Sequence, residues 1–373
     1  MLPLEQLNVH AFRGLRDVQL QELGRLNVLV GPNNSGKTSV LEAIATYARP
    51  LSPSEWVETA RRREISSSRG SLLEALRWMF PQSASALPGA YEGTTSLSST
   101  GRFPVRRADA RLVEIEGFFD SDVDTEDPAM QRLDEGGPQR GVTLKLGVVM
   151  STPQVDLFGK QETEATSEVK LWERSRGPIA QNRSGPSLPV ATITPFSHRV
   201  QRLEVEALSE AIFEDIKPQV LELVQIFDAS IRDLEVLKRP RSEPTVYVRH
   251  ERLGIAPLSS FGDGMRRVLL LGVTLATVRG GVLLVDEIES AIHTSALDAT
   301  FRWLRRACQD LDIQLFATTH SLEAVDALLA ASEADESLVL YRLSRRGDET
   351  RVKRLPVRDL RVLREDLGHE VRA

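Results

Sequence analysis

The chain has 373 residues, 41% of them hydrophobic, 27% charged, and a net charge of −6 at pH 7. That supports one large domain or two modest ones, and the acidic balance gives no global attraction to nucleic acid, although a local basic patch would suffice. One cysteine, Cys308, excludes a disulfide framework and fits a reducing cytoplasm, and the N-terminus lacks the basic-then-apolar pattern of a secretion signal.

Leu4, Leu7, Val9 and Phe12, then Val18 and Leu20, alternate as in two strands joined at Phe12-Arg-Gly14. Leu26 to Val30 reads as a third strand, and Val40, Leu41, Ile44 and Tyr47 mark a helix over Thr38 to Tyr47. From Ser52 to Arg107 the composition turns to Ser, Gly and Pro, in Ser66-Ser-Ser68 and Ser83 to Gly101. One helical island, Leu72 to Phe80, interrupts it, and the whole reads as a partly flexible insertion. Leu112 to Phe119, Val142 to Met150, Glu168 to Trp172 and Val190 to Ile193 read as strands, with loops at Asp120 to Asp127 and Gly177 to Gly185. Val205, Leu208, Ile212 and Ile216 recur at helical spacing. Pro218 permits a fresh helix start, with Val220, Leu223, Val224, Phe227 and Ile231 continuing the pattern. No heptad repeat is sustained, so no coiled-coil arm is expected. Leu234 to Leu237 and Thr245 to Val248 suggest a hairpin across Arg239-Pro240. Val268 to Val278 is the longest apolar run, too short to span a bilayer, and reads as a buried helix.

The chemistry concentrates in four places. Gly31-Pro-Asn-Asn-Ser-Gly-Lys-Thr38 fits G-x-x-x-x-G-K-[ST] between a strand and a helix, the context that phosphate-loop chemistry needs. Gly31, Asn33, Asn34, Ser35, Gly36 and Ser39 supply a backbone and hydroxyl cradle at a positive helix end. Lys37 would reach the β- and γ-phosphates of ATP, and Thr38 would hold Mg²⁺; the plain alternative is a Gly/Asn turn before a helix. Gly281-Val-Leu-Leu-Val-Asp286-Glu287 would bring two carboxylates to the end of a buried strand, Asp286 for Mg²⁺ and Glu287 as general base toward the attacking water. Leu315-Phe-Ala-Thr-Thr-His320-Ser321 repeats that design, with His320 directed at the γ-phosphate or the water. Ser260, Gly262 and Gly264 open the apolar helix and form a second anion-binding turn without a lysine; the alternative is a capped helix with a flexible lead-in.

In this order the motifs resemble the ABC ATPase family, in its soluble branch of RecF-like and SMC-like heads, and especially the OLD-like ATPases of the AAA15 type. The likeness rests on Asn8 to Gly14, Leu26 to Lys37, Gly262-Asp-Gly-Met-Arg-Arg, Asp286-Glu-Ile-Glu-Ser-Ala-Ile-His293 and Ala317-Thr-Thr-His-Ser321. It covers about the first 50 residues and Pro257 to about Leu329. It implies an α/β fold: an ABC ATPase head with a mixed or parallel core sheet, an antiparallel N-terminal sheet and an inserted strand/helix lobe. The expected division is 1–50 with 250–340 as ATP-binding core, 51–249 as inserted lobe (51–107, strands 110–195, helices 200–234) and 341–373 as C-terminal extension. It further implies that Ser260, Gly262 and Gly264 of one subunit complete the site held by Lys37 in another, giving a homodimer or higher homo-oligomer through two ATP sites. Glu289 to His293 would link those sites. Asp263 stands where Gln is common, and Gln82 is the nearest candidate for the family's metal-contacting Gln.

Many OLD-like proteins carry a Toprim nuclease domain after the ATPase, and the residues after His320 are too few for one. Asp310-Leu-Asp312 reads as a helix-to-strand turn. The reading is therefore a cytoplasmic ATPase, without a membrane partner, that controls a separate nuclease-like effector, as stand-alone OLD-like ATPases of bacterial anti-phage systems do. The alternatives are a RecF-like repair ATPase binding duplex DNA through Arg61-Arg-Arg63, Arg106-Arg107 and Arg345-Arg346, and a scaffold that uses ATP only to assemble. Of the tryptophans, Trp78, Trp172 and Trp303 are expected to be packed and Trp56 is open to an interface role.

Overall fold

A computed structural model of the chain describes residues 1–63, 71–82, 91–117, 139–156, 159–173, 185–199, 201–332, 337–347, 349–366 and 371. The N-terminal hairpin is β1 (Gln6–Phe12) and β2 (Leu15–Leu20), antiparallel, turning at Arg13 in a left-handed conformation. Strand β3 (Leu26–Val30), every residue buried, feeds the phosphate loop and helix α1 (Lys37–Ala48). Helices α2 (Pro53–Arg61) and α3 (Leu72–Arg77) follow; Pro53 suits the first turn of α2 because its missing N–H is not needed there. Four long antiparallel strands come next: β4 (Glu92–Thr100), β5 (Val105–Gly117), β6 (Gln139–Asp156) and β7 (Gly159–Trp172). They extend the first hairpin into one six-stranded sheet, β2-β1-β4-β5-β6-β7.

The second half alternates between helices and short strands. It comprises β8 (Val190–Ile193), α4 (Gln201–Phe213), α5 (Lys217–Gln225), and a small sheet of β9 (Ile231–Leu237), β10 (Thr245–His250) and β11 (Gly254–Pro257). Then come α6 (Asp263–Thr277), β12 (Val282–Val285), α7 (Thr294–Asp310), β13 (Gln314–Thr318) and α8 (Leu322–Ala331). The hairpin of β14 (Leu338–Arg346) and β15 (Glu349–Pro356) follows, with α9 (Val357–Arg361) and a π-helical turn at Val362–Asp366 after it. The core sheet runs β15-β14-β3-β13-β12-β8, parallel from β14 to β8 with an antiparallel edge at β15.

Side chains alternate across these strands and both faces are covered, which explains their unbroken apolar runs. Leu26, Val28, Val30, Leu283, Val285, Leu315 and Ala317 join one core with α4 to α8. Leu29, Val282, Leu284, Phe316 and Tyr341 point the other way, into a core shared with α1 and the antiparallel sheet. The parallel strands end together at their carboxyl edge, and there the phosphate loop, Asp286 and His320 emerge.

Several expectations are corrected. The stretch Ser52 to Arg107 is not one insertion around a single helix: it holds α2 and the interior strand β4. Glu92–Thr100 hides its strand character because short Thr and Ser occupy the inward positions, where Thr95, Leu97 and Ser99 are buried. Ser99 donates to the Tyr47 hydroxyl at 2.8 Å inside the core. Ser66 to Ser68, Asp120 to Asp127 and all of Gly177 to Gly185 but Gly185 lie outside the described residues. The domain division is redrawn: β8, from the expected lobe, is an edge strand of the core sheet, and β14 and β15 pair beside β3 instead of forming an extension. Phe227 and Ile231 lie past the end of α5, Ile231 opening β9. Trp78 is 70% exposed, whereas Trp56 and Trp303 are buried. The hairpin across Arg239-Pro240 forms as β9 and β10, and Asp310 to Asp312 is the turn between α7 and β13.

Candidate functional site: a phosphate loop beside paired carboxylates

Backbone geometry makes the loop a cradle. Gly31 has φ +145°, and a Cβ there would stand 2.1 Å from the Leu343 carbonyl oxygen, so β14 packs against the loop where only glycine fits. Asn34 and Gly36 are also left-handed, and Gly36 begins α1 with no side-chain cap, leaving the first helical N–H groups to an anion. Among the described residues, Ser35 Oγ is buried without a hydrogen-bond partner.

Lys37 is buried and folds back over the loop, its Nζ donating to the carbonyls of Gly31 at 2.8 Å and Pro32 at 3.0 Å. Burial lowers its pKa, opposed by the charges of Asp286, Glu287 and Glu289. An anion in the cradle would supply the countercharge that these carbonyls only partly replace.

The carboxylates sit where β12 ends. Thr38 Oγ1 donates toward both oxygens of Asp286 at 3.2 Å, and Thr318 Oγ1 donates to Asp286 Oδ1 at 2.6 Å. A hydroxyl and a carboxylate at that spacing are hard oxygen donors suited to Mg²⁺, which takes one or two carboxylates and fills its remaining positions with phosphate and water. Among the described residues no cluster of three or more His, Cys, Asp or Glu forms a self-sufficient metal cage, and this ligand set needs none.

Glu287 is half-buried, with φ +49°. A non-glycine residue rarely adopts that conformation, and here two contacts hold it. Its N–H donates to Thr318 Oγ1 at 2.9 Å, and its carbonyl accepts from Arg267 Nη2 at 3.3 Å. Arg267 is fully buried on α6 and also donates to the carbonyls of Asp286, at 3.0 Å, and Thr194. Burial lowers its pKa to about 10 although Asp286, Glu287 and Glu289 lie near. The sequence reading passed over Arg267 and Thr318. The available signal for Arg267 was a cation at the head of an otherwise apolar helix.

A cavity of about 930 Å³ opens over the loop, lined by Asn33 to Ser39 and by His320, Arg13, Arg63 and Trp78. The backbone N–H of His320 donates to Glu289 Oε1 at 2.9 Å. Neither arginine was expected at this cavity: Arg13 was read as part of a turn and Arg63 as a possible duplex contact. Both are held by buried Glu42 of α1, Arg13 Nε at 2.7 Å and Arg63 Nε at 2.6 Å, and Arg63 also donates to Ser39 Oγ at 3.0 Å. Gln82 lies apart from Thr38, in a neighbouring cavity.

Ser260, Gly262 and Gly264 do not line the phosphate cavity of their own chain. Ser260 is exposed on a short turn, and Gly262 caps α6 with open space around it. Gly264 is different: a Cβ there would stand 2.6 Å from the Ala291 carbonyl oxygen. Asp263 pairs with Arg199 at 2.9 Å and approaches His198 at 3.6 Å, and the hydrogen bond from Arg199 lowers its pKa. Of the arginine runs, Arg62 pairs with Glu55, Arg63 with Glu42 and Arg107 with Asp109.

Two family profiles match this chain: "AAA ATPase domain" over residues 3–51, and "AAA domain, putative AbiEii toxin, Type IV TA system" over residues 150–326. They cover the phosphate loop in one case and the Ser/Gly segment, Asp286-Glu287 and His320 in the other. The chain belongs to the ABC-type ATPases of the RecF-like, AAA15 kind. An uncharacterized protein of Methanocaldococcus jannaschii is 32% identical over 113 residues, 30% of this chain and 98% of that one. The DNA replication and repair protein RecF of Shewanella piezotolerans is 51% identical over 43 residues, 12% of each chain. In fold, a solved Smc head bound to the C-winged helix domain of ScpA has TM-score 0.49 at 11% identity, over 95% of this chain and 98% of that one. The SMC head domain from Thermotoga maritima has TM-score 0.44 at 12% identity, over 95% and 99%. In this ATPase no helix among the described residues is long and apolar enough to cross a membrane.

Proposed function

We propose that this ATPase binds ATP with Mg²⁺, dimerises around it and hydrolyses it to control a separate effector protein. The observation that carries the nucleotide reading is the joining of Thr38, Asp286 and Thr318 beside a buried Lys37 and an orphaned Ser35 hydroxyl. Bound ATP supplies the γ-phosphoryl group. Lys37 and the loop N–H groups hold the phosphates, Thr38 and Asp286 hold the metal, and Glu287, fixed at its backbone, takes a proton from water. His320 faces the same cavity and orients that water or the phosphate. Gly262, uncovered in its own chain, is the part of the Ser/Gly turn left free for a second subunit's phosphates.

The role in anti-phage defence is suggested by the family profile over residues 150–326, whose description is of an AAA domain and putative toxin of a type IV toxin–antitoxin system; the separate effector is the part that the test below must find. Direct duplex binding of a RecF-like kind has less support, because Arg62 and Arg63, two of the arginines offered for it, are paired with buried Glu55 and Glu42 of the chain. The test is purification of the protein at native abundance with mass spectrometry of its companions, beside ATPase assays with and without duplex DNA. A stoichiometric nuclease-like or toxin-like companion and DNA-independent turnover are expected. Turnover that duplex DNA stimulates, with a steep salt dependence and no companion, would replace this reading with the repair-type one.

A further inference from the structure

Trp78 is a large apolar side chain left 70% exposed, although its neighbours Met79 and Phe80 are buried. Its backbone is well fixed. The Trp78 N–H donates to the Glu74 carbonyl at 3.2 Å, and the Met79 carbonyl accepts from the Arg13 N–H at 2.9 Å. Phe80 stacks on Trp56 with ring centroids 5.3 Å apart. The indole is thus carried on a rigid support and tied to the β1–β2 turn, yet nothing in the core uses it.

Its position supplies the use. Among the described residues that line the phosphate cavity, Trp78 is the sole Trp, Tyr or Phe. It also lines a second cavity of about 710 Å³, which shares Arg13, Gly14 and Trp78 with the first. A nucleotide whose phosphates lie on Asn33 to Thr38 has its base further along the cavity, and an exposed indole on that wall is a stacking surface for a flat aromatic ring. Arg13, held by Glu42, forms the neighbouring wall without needing to rearrange.

We infer that Trp78 is the platform on which the base of the bound nucleotide stacks, where the two cavities meet. This rests on the nucleotide reading of the phosphate loop. Stacking recognises a π-face and not the phosphates, so Trp78 affects nucleosides and not inorganic polyphosphate.

The experiment uses the full chain and calorimetric titration with two probes: a non-hydrolysable ATP analogue and inorganic tripolyphosphate, both with Mg²⁺. Trp78→Ala is expected to weaken the analogue roughly ten-fold and to leave tripolyphosphate within about two-fold, with Trp78→Phe recovering most of the loss. The analogue should also quench the tryptophan emission of the wild type and not that of Trp78→Phe, since Trp56 and Trp303 are buried and half-buried Trp172 lines neither cavity. Unchanged analogue affinity in Trp78→Ala, or an equal loss for both probes, would overturn the inference. If the wild type binds the analogue no more tightly than tripolyphosphate, stacking fails while the phosphate-loop reading stands. If it binds neither probe, the nucleotide reading fails with it.

Discussion

Replacing Gly264 and Gly262 separately with alanine divides the Ser/Gly turn into a part the chain needs for its own packing and a part it leaves free. A Cβ on Gly264 would lie 2.6 Å from the Ala291 carbonyl oxygen, inside the 3.0 Å that real Cβ contacts essentially never breach. The obstacle is backbone, so it cannot rotate away; the first turn of α6 and the Glu289–His293 loop must part. Overpacking of that kind costs roughly 1–3 kcal/mol, and the gain of alanine over glycine within a helix returns about 1 kcal/mol. The expected net loss for Gly264→Ala is therefore up to about 2 kcal/mol. At Gly262 nothing lies within 4 Å of the added methyl, and φ −65° with ψ 161° suits any residue. There the poorer N-cap and the stiffer unfolded chain offset each other to within about 0.5 kcal/mol. Urea titrations followed by far-UV circular dichroism would compare the two, and size-exclusion chromatography with light scattering, with and without ATP, would follow dimerisation. Gly262→Ala is expected to keep wild-type stability and lose the ATP-dependent dimer. Gly264→Ala more stable than the wild type, or Gly262→Ala the less stable of the pair, would refute the reasoning.

Lys37→Ala removes the cation that the loop carbonyls hold and is expected to abolish nucleotide binding in calorimetry. Glu287→Gln keeps the hydrogen bonds to its backbone, so it is expected to bind ATP, accumulate as a dimer and hydrolyse at a small fraction of the wild-type rate; wild-type turnover would remove Glu287 from its assigned role. Arg267→Met leaves the Thr194, Asp286 and Glu287 carbonyls without their shared donor and is expected to cost about 2–4 kcal/mol in urea titration, with Arg267→Lys recovering only part because an ammonium cannot span the three. Burial lowers the pKa of His198 from its ordinary 6.5, against the pull of Asp263 and with some help from Arg267 and Arg199. The unfolded chain therefore binds the extra proton first, and stability falls as pH drops below 6.5 toward the folded value; His198→Gln should flatten that part of a urea-midpoint-versus-pH curve.

The phosphate loop, the Asp286-Glu287 strand and the His320 strand were legible in the sequence for one physical reason. Each is a buried strand whose apolar run breaks at a polar end, and in a parallel sheet those ends share one edge. Val190–Ile193 was legible as a strand but not as a member of that sheet, since a four-residue run says nothing of its partner. Strand β4 was hidden because Thr and Ser fill its inward positions, and polarity alone cannot show that a hydroxyl is buried and bonded. Motif spacing by itself marked the residues proposed to hold phosphate and metal, because those roles would follow from local backbone and side-chain chemistry. Tertiary structure alone decided that Arg267 reaches from α6 to the carbonyl of Glu287, that Glu42 gathers Arg13 and Arg63, and that Gly264 rather than Gly262 meets the Ala291 loop. Those contacts join segments far apart in the chain, and only the packing of one layer on another brings them within a few ångströms.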